Sequence, residues 1–374
     1  IHRRLVGSEM CIRDRSKESL EKFFQSIDEK PFRATQIIKW IHQRGVSDIS
    51  QMTDLSKSLR QKLLELCEIR VPEVVYEKTS NDGTKKWVIK VSEKDLIEMV
   101  LIPENNRSTL CVSSQVGCAV DCSFCATGKQ GFSRNLTLDE IIGQVWVAAN
   151  SFGLPRDANS RHITNVVMMG MGEPLLNFNP VVEAMNLMID DNAYGLSKRK
   201  VTLSTSGIVP KIDALSKVTD IALTISLHAP NDELRDELVP INKKYPIQEL
   251  LDAVKRYVDS CNDRRVTTIE YILINNVNDG LDHAEELSEL LRQIPCKVNL
   301  IPFNQFEGSD YLKPSGNRIK KFQSFLQAKG YVTTIRSTRG DDIMAACGQL
   351  VGQVNDRTRR QERSFKNQIK TKAL

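Results

Sequence analysis

The chain has 374 residues, of which 40% are hydrophobic and 26% are charged. This length predicts one large domain with a smaller one, and the apolar content is sufficient for a substantial core. No run approaches the roughly 18 apolar residues of a membrane span, and the start shows no signal-peptide core. We therefore expect a cytoplasmic protein without a membrane span, whose nine cysteines stay reduced and serve metal binding or catalysis.

Both ends of the chain differ from the rest. The net charge of +5 lies in a basic C-terminal tail, residues 351–374, where seven Lys and Arg stand against two acidic residues. Such a tail suits contact with a phosphate backbone, although a solvated terminal helix explains the same charges. Residues 1–15 show neither an apolar period nor a capping residue. We interpret them as an artefactual or disordered leader and assign no role to Cys11.

Residues 16–72 predict a small N-terminal helical accessory domain. Apolar residues recur at helical spacing from Leu20 to Ile27 and from Ile37 to Ile41, and a third helix is predicted from Ser56 to Cys67. Lys and Arg on the outer faces of these helices would suit the domain to bind nucleic acid. Taken alone, the pattern indicates only a small helical domain.

Strand patterns dominate the chain from residue 73 to residue 350. Residues 73–102 alternate around Asn81-Asp82-Gly83, a hairpin turn signal, and predict a β-hairpin linker region. Residues 103–350 alternate between buried strands and helices, which predicts a parallel sheet covered by helices. An open doubly wound sheet and a barrel, complete or partial, remain alternatives. The candidate strands are Leu110–Val116, Ile163–Met169, Val201–Thr205, Ile221–Leu227, Val266–Ile274 and Lys297–Pro302.

The strongest chemical signal is a group of three cysteines, Cys118, Cys122 and Cys125, in one short loop after the first of these strands. Three thiolates on a four-iron cluster leave one iron open, whereas electron-transfer clusters are normally closed by four. An open iron can chelate the amino and carboxylate groups of S-adenosylmethionine and deliver an electron to its sulfonium. A four-thiolate zinc site that includes Cys111 is the chief alternative, and ordinary buried cysteines are a weaker one.

The motifs around this loop resemble those of the RlmN family in the radical S-adenosylmethionine superfamily. They are CAVDCSFC at 118–125, VMMGMGEP at 167–174, LSTSG at 203–207, ISLHA at 225–229, IPFN at 301–304 and GDDIMAACGQL at 340–350. The resemblance implies a partial (β/α)6 barrel behind a small helical domain. It also implies methylation of adenine carbon 2 in 23S ribosomal RNA and in tRNA, 3′ of the anticodon.

The same resemblance implies the cofactors and partners. One 4Fe-4S cluster is held by Cys118, Cys122 and Cys125, and two S-adenosylmethionine molecules are consumed per turnover. We also expect an external donor such as flavodoxin or ferredoxin to reduce the cluster, and we expect a monomer because nothing in the sequence suggests an obligate partner.

Individual roles follow from the resemblance as well. Cys347 is expected to carry the methyl group, Cys111 to resolve the protein–RNA adduct through a transient disulfide, and Glu98 to accept a proton. Without the resemblance, we would interpret Cys347 and Cys111 as ordinary buried thiols. The residues expected to bind S-adenosylmethionine are Gly172, Glu173, Ser204, Ser226, Leu227, His228 and Asn304. Cys67, Cys261 and Cys296 match no motif, and we interpret them as core or incidental.

Three alternative functions remain at this point. A sister activity methylates carbon 8 of the same adenine with the same cysteines; the extended N-terminal domain and the basic tail favour carbon 2. A non-catalytic RNA-binding protein with an Fe–S or zinc site would not need Cys347. Another radical enzyme, such as an activase, would not need it either.

Overall fold

The computed structural model describes residues 10–13, 15–153, 162–261, 263 and 265–360. The chain begins with a helical domain, in which Ser16 and Ser56 accept hydrogen bonds from the backbone N–H groups of Ser19 and Leu59 and so cap two of the helices. The buried face of these helices includes Phe24 and Leu63. The elements of this domain are β1 (Met10–Cys11), α1 (Lys17–Ser26), α2 (Arg33–Ile38), a π-helical turn (Lys39–Gln43), α3 (Lys57–Leu66) and β2 (Cys67–Glu68).

Part of the segment expected to be a leader is folded into this domain. Strand β1 pairs in parallel with β2, and the side chains of Cys11 and Ile12 are buried. A segment this short shows no period in the sequence, so its two apolar side chains gave no signal. Residues 1–9 and 14 lie outside the described residues.

One ten-stranded sheet forms the body of the protein. Its strand order is β14-β13-β12-β11-β10-β9-β6-β5-β4-β3. Strands β3 to β6 pair in antiparallel fashion, and the remaining neighbours from β6 to β14 pair in parallel. A separate antiparallel pair, β7 with β8, lies between β6 and β9 in the chain.

The strands and helices of this body alternate along the chain. The strands are β3 (Glu73–Thr79), β4 (Lys85–Lys90), β5 (Leu96–Glu104), β6 (Arg107–Cys111), β7 (Gln115–Gly117), β8 (Phe132–Asn135), β9 (Asn165–Met168), β10 (Val201–Thr205), β11 (Ala222–Ser226), β12 (Thr267–Leu273), β13 (Cys296–Pro302) and β14 (Thr333–Ile335). The helices are α4 (Ala126–Lys129), α5 (Leu138–Asn150), α6 (Phe178–Ile189), α7 (Val209–Leu215), α8 (Asp232–Leu238), α9 (Ile247–Ser260), α10 (Leu281–Leu290) and α11 (Gly316–Ala328).

The predicted alternation of strands and helices is confirmed, with three differences. The unit formed by α11 and β14 follows the last strand that the pattern predicted. The first predicted strand ends at Cys111 rather than at residue 116, because the chain there leaves the sheet to form β7. Strand β5 crosses the expected boundary between residues 102 and 103, so the hairpin and the parallel strands share one sheet.

The sheet curls around a cavity, which makes the body a partial barrel with an N-terminal helical domain, as the family resemblance implied. Side chains from β5 and from each parallel strand up to the segment after β14 line this cavity. The helical domain rests on the barrel, where Trp146 of α5 donates its indole N–H to the carbonyl of Ile41 (3.0 Å). Among the described residues, no helix has the length and apolar character needed to cross a bilayer.

Candidate active site

The cavity opens where the parallel strands end, the position at which barrels of this type carry their active sites. Its volume of about 170 Å³ far exceeds the roughly 10–15 Å³ that a single water requires. All of the site residues predicted from the sequence line it except Leu227 and Glu98. Those that do are Cys111, Cys118, Cys122, Cys125, Gly172, Glu173, Ser204, Ser226, His228, Asn304 and Cys347.

The three clustered cysteines lie in the segment between β7 and β8, residues 118–131, which we call the cluster loop. Its backbone is fixed by hydrogen bonds from Cys118 N–H to Gly131 O (2.8 Å) and from Cys125 N–H to Cys122 O (3.2 Å). Burial raises the pKa of Cys118 to about 12, and the neighbouring Cys125 adds to the effect. Burial also raises the pKa of Cys122 and Cys125. Thiolates at these positions therefore need a compensating positive charge.

The donor set fits an iron–sulfur cluster. Three thiols line one cavity, yet no three His, Cys, Asp or Glu side chains in the described part of the chain are arranged to hold a single metal ion. Each cysteine of an iron–sulfur cluster binds a different iron, so these sulfurs need not meet at one point. Cys111, the fourth ligand of the zinc alternative, lines the same cavity but outside the cluster loop, and the charged groups that act on it are Cys347 and Arg336.

Part of the basic tail closes over the cluster loop. The guanidinium of Arg360 donates to the carbonyls of Cys118 (2.7 Å), Gly128 (2.9 Å) and Ala119 (2.8 Å). Its Nε lies 3.4 Å from Asp121 Oδ2. Arg360 thus contacts protein groups, a use of the tail that neither of the two interpretations of its charge, phosphate contact or a solvated helix, included. The basic residues after position 360 lie outside the described residues.

Glu173 is a buried carboxylate at the end of β9, fixed by its neighbours. Oε1 accepts from Thr205 Oγ1 (2.8 Å) and Leu175 N–H (3.1 Å), and Oε2 accepts from the N–H and hydroxyl of Ser206 (2.8 and 2.7 Å). Burial raises its pKa and these hydrogen bonds oppose the rise. Gly172 beside it has φ +99°, and a Cβ there would lie 2.4 Å from Gln115 Cβ. Only glycine fits this close approach.

The polar residues at the ends of β10, β11 and β13 face the same cavity. Ser204 and Ser226 place their hydroxyl oxygens 3.3 Å apart. Asn304 donates to the carbonyl of Cys347 (3.1 Å) and accepts from Thr338. Leu227 differs from the expectation: it is fully buried, does not line the cavity, and accepts a hydrogen bond at its carbonyl from the buried Arg235 (3.0 Å).

His228 follows β11 with a left-handed backbone, φ +66°. Its Nδ1 accepts a hydrogen bond from the N–H of Ile272 (3.1 Å), so the ring proton resides on Nε2. Burial lowers the pKa of His228 to about 3, and the charge of Arg235 acts in the same direction. The imidazole is therefore a neutral donor at physiological pH and packs edge-on against Phe124.

Cys111 and Cys347, far apart in sequence, meet in the cavity. Cys111 ends β6, and Cys347 lies in residues 340–351, which we call the Cys347 loop. Burial raises the pKa of Cys111 to about 12; the charge of Cys347 raises it further and Arg336 opposes both. Burial also raises the pKa of Cys347, and Arg336 again opposes it. Arg336 thus favours the thiolate form of both sulfurs.

Glu98 lies on β5 under the Cys347 loop and outside the cavity lining. Its Oε1 is 2.8 Å from Lys86 Nζ, and its Oε2 accepts from the N–H of Val351 (3.0 Å). Both carboxylate oxygens are therefore engaged.

The sequence interpretation did not single out Arg336, Lys86 or Arg360, nor Glu270, a buried carboxylate of β12 that also lines the cavity. The position of Arg336 directly after the last strand of the sheet could have indicated a residue at the active-site end, but that strand, β14, was not predicted. The other three act through partners remote in sequence.

Two family models match the chain. One describes the ribosomal RNA large subunit methyltransferase N-terminal domain and matches residues 11–69; the other describes the radical SAM superfamily and matches residues 112–291. Together with the partial barrel and its three-cysteine loop, they define a radical SAM enzyme, a class that uses a 4Fe-4S cluster and S-adenosylmethionine.

Known relatives narrow the class. The curated dual-specificity RNA methyltransferase RlmN of Marinobacter nauticus is 63% identical over 347 residues, 93% of this chain and 94% of that protein. The protein of the same name from Marinomonas sp. is 63% identical over 351 residues, again 93% and 94% of the two chains. The crystal structure of a radical SAM methyltransferase from Sphaerobacter thermophilus superposes with a TM-score of 0.84 at 42% identity, covering 91% of this chain and 99% of that one. The chain belongs to the RlmN family.

Proposed function

We propose that this protein methylates carbon 2 of adenine in 23S ribosomal RNA and in tRNA, 3′ of the anticodon, through a methyl-cysteine intermediate. The observation that carries the proposal is the meeting of Cys111 and Cys347 in the cavity that the cluster loop also lines. Carbon 2 of adenine lies between two electron-withdrawing nitrogens and is not nucleophilic. A carbon radical adds readily to such a position, so a radical generator and a carbon-carrying sulfur are needed together.

Cys118, Cys122 and Cys125 would hold the 4Fe-4S cluster, and Gly172, Glu173, Ser204, Ser226, His228 and Asn304 would surround S-adenosylmethionine. When bound, and with two S-adenosylmethionine molecules used per turnover, these cofactors supply a methyl group and a 5′-deoxyadenosyl radical. His228, which lines the cavity, carries its proton on Nε2 and would donate it to the bound cofactor. The buried Glu173, held by Thr205 and Ser206, orients a cationic group.

Cys347 carries the methyl group on its sulfur. Loss of a hydrogen atom converts this group to a methylene radical, which adds to adenine and joins protein to RNA. The adduct radical then loses one electron, which the oxidised 4Fe-4S cluster would take up when bound, and the proton on carbon 2, which a carboxylate base would accept, and the aromatic ring is restored. The thiolate of Cys111 then attacks the sulfur of Cys347, the sulfur–methylene bond breaks, and its electron pair takes up a proton to complete the methyl group. A disulfide between Cys111 and Cys347 remains, and its reduction by thiols precedes the next turnover.

Arg336 assists these reaction steps because it favours the thiolate forms of Cys347 and Cys111, both of which act as nucleophiles. Glu98 is the residue that the family resemblance assigns as proton acceptor. Each of its oxygens has one partner, and a carboxylate has about four acceptor positions. Room for a proton therefore remains.

The helical domain and the basic residues beyond the described part of the tail would contact the RNA. An external flavodoxin or ferredoxin would reduce the cluster, and we place the monomeric enzyme in the cytoplasm with its RNA substrates.

Nucleoside mass analysis after anaerobic reaction tests the proposal. RNA transcripts containing the target adenine are incubated with reconstituted enzyme, digested, and compared with 2-methyladenosine and 8-methyladenosine standards. We expect 2-methyladenosine together with 5′-deoxyadenosine. The 8-methyl isomer alone would assign the sister activity, and a full cluster that yields no deoxyadenosine would refute the enzyme hypothesis.

A further inference from the structure

The Cys347 loop touches three parts of the protein. Its centre rests on the site: Ala126 of α4 donates to Gly348 O (2.8 Å), and Asn304 donates to Cys347 O (3.1 Å). Its two flanks rest on the antiparallel strands β4 and β5 and on the turn before β4. Apart from the proton acceptance assigned to Glu98 of β5, no role in methyl transfer follows from the chemistry of those strands, so the contacts of the loop with them need another explanation.

The beginning of the loop is held by the turn between β3 and β4. Asp82 accepts from the N–H of Gly340 (3.1 Å), and Asp342 accepts from the N–H of Asn81 (3.3 Å) and from the hydroxyl of Ser80. These contacts fix where the loop leaves the barrel, four residues before Met344.

Lys86 and Glu98 hold the stretch that carries the thiol. Lys86 Nζ donates to Met344 O (3.0 Å) and pairs with Glu98 Oε1 (2.8 Å). Glu98 Oε2 accepts from Val351 N–H (3.0 Å). One ion pair therefore binds the backbone on both sides of Cys347, three residues before it and four residues after it.

Strand geometry explains why the two side chains meet. Val88 of β4 lies directly opposite Glu98 of β5 in the antiparallel register. Lys86 is two residues from Val88 and so points to the same face as Glu98, at a diagonal distance that a long side chain spans. The side chains of Lys86 and Glu98 are 7% and 6% exposed, which removes both charges from water.

The pair has the features of a rigid anchor. A buried ion pair persists when its remaining hydrogen-bonding capacity is also satisfied, and loss of one partner leaves an uncompensated charge. Met344, whose carbonyl it binds, has a left-handed backbone, φ +52°. A non-glycine residue keeps this conformation only where its surroundings hold it.

We propose that Lys86 is a positioning residue for methyl transfer, which together with Glu98 fixes the Cys347 loop so that the Cys347 sulfur faces both Cys111 and the cluster loop. The inference rests on the proposed function of Cys347 as the methyl carrier. It adds a role to Glu98, distinct from proton acceptance, and gives Lys86 its first role.

Hydrogen exchange tests this in the reconstituted full-length holoenzyme, measured by mass spectrometry on peptides that cover residues 340–351. In Lys86→Met, exchange across this loop should rise by about tenfold or more, as expected when buried backbone contacts lose a charged partner. Peptides of the helical domain and of β10 to β13 should be unchanged. Lys85→Met is the matched control, because Lys85 is the adjacent residue of β4. Its partly exposed ammonium pairs with Glu77 (3.5 Å) and lies 5.9 Å from the centre of the Trp87 ring.

A second variant removes the risk that Lys86→Met does not fold. Lys86→Met/Glu98→Leu leaves no charge unpaired, so it should fold, and it should still show the raised exchange because both backbone anchors are gone. Iodoacetamide modification of Cys347, followed on its own peptide, should accelerate in parallel. Wild-type exchange across 340–351 in the folded double variant would overturn the proposal. Neither readout requires RNA, so failure of the proposed function would appear separately, as absent methylation by the wild-type enzyme.

Discussion

Arg360 offers a direct test of how the tail supports the site. Replacing it with alanine removes three hydrogen bonds to the cluster loop, at 2.7, 2.9 and 2.8 Å. The side chain is 17% exposed, and the released carbonyls regain water, so each bond contributes about 1 kcal/mol. The sum of about 3 kcal/mol corresponds to roughly 100-fold in the opening equilibrium of the cluster loop.

The assay is loss of cluster absorbance from anaerobically reconstituted protein after addition of an iron chelator, with iron and sulfide content measured before it. Where opening limits release, Arg360→Ala should lose its cluster up to about 100-fold faster than the wild type. Arg357→Ala removes the same charge from an exposed position three residues earlier in the tail and is the control. Equal rates for the two variants would refute the assigned role of Arg360.

Two further predictions concern the cofactor cavity. Gly172→Ala should prevent stable folding of the site, because its Cβ would lie 2.4 Å from Gln115 Cβ. Gly153→Ala, at a similar positive φ but with no atom of the described residues within 4 Å of its Cβ, should keep the cluster. Equal cluster content in the two variants would contradict the packing argument. Burial lowers the pKa of His228 from 6.5 to about 3. As the pH falls below about 6.5, the unfolded chain therefore binds a proton at this imidazole before the folded protein does. The folded state loses about 2 kcal/mol of stability by pH 5 for this reason. Denaturant titrations should show this additional loss of stability at low pH in the wild type and not in His228→Gln. If the free energy of unfolding depended on pH in the same way in both proteins, a buried neutral imidazole would be excluded.

Local patterns in the amino-acid sequence predicted much of the architecture. The cysteine spacing predicted a cluster loop. The residues that the resemblance assigned to the cofactor follow successive parallel strands, and the structure brings all of them except Leu227 to one cavity. Parallel strands end at the same edge of a sheet, so a position after a strand fixes a position in space. Leu227 shows the limit of this reasoning, since a strand end specifies the edge of the sheet but not which side chains face inward.

Other features depend on partners distant in sequence. Lys86 contacts the backbone carbonyl of residue 344, and Arg360 contacts the backbone carbonyls of residues 118 and 128. Hydrophobic periodicity along the chain cannot indicate contacts between residues so far apart. Residues 10–13 gave no signal for a similar reason, since two apolar side chains are too few to show a period. The α11 helix could have been predicted, because Ile319, Phe322 and Leu326 recur at helical spacing after the capping Ser315.

The central claim is that Cys347 delivers carbon to RNA and Cys111 releases it. The most direct measurement is purification of Cys111→Ala and of Cys111→Ala/Cys347→Ala from cells, followed by nuclease digestion and mass analysis of the residue 347 peptide. The account predicts RNA covalently attached through Cys347 in the single variant and none in the double variant. RNA-free Cys111→Ala protein, recovered from cells in which the wild type methylates its target, would contradict it.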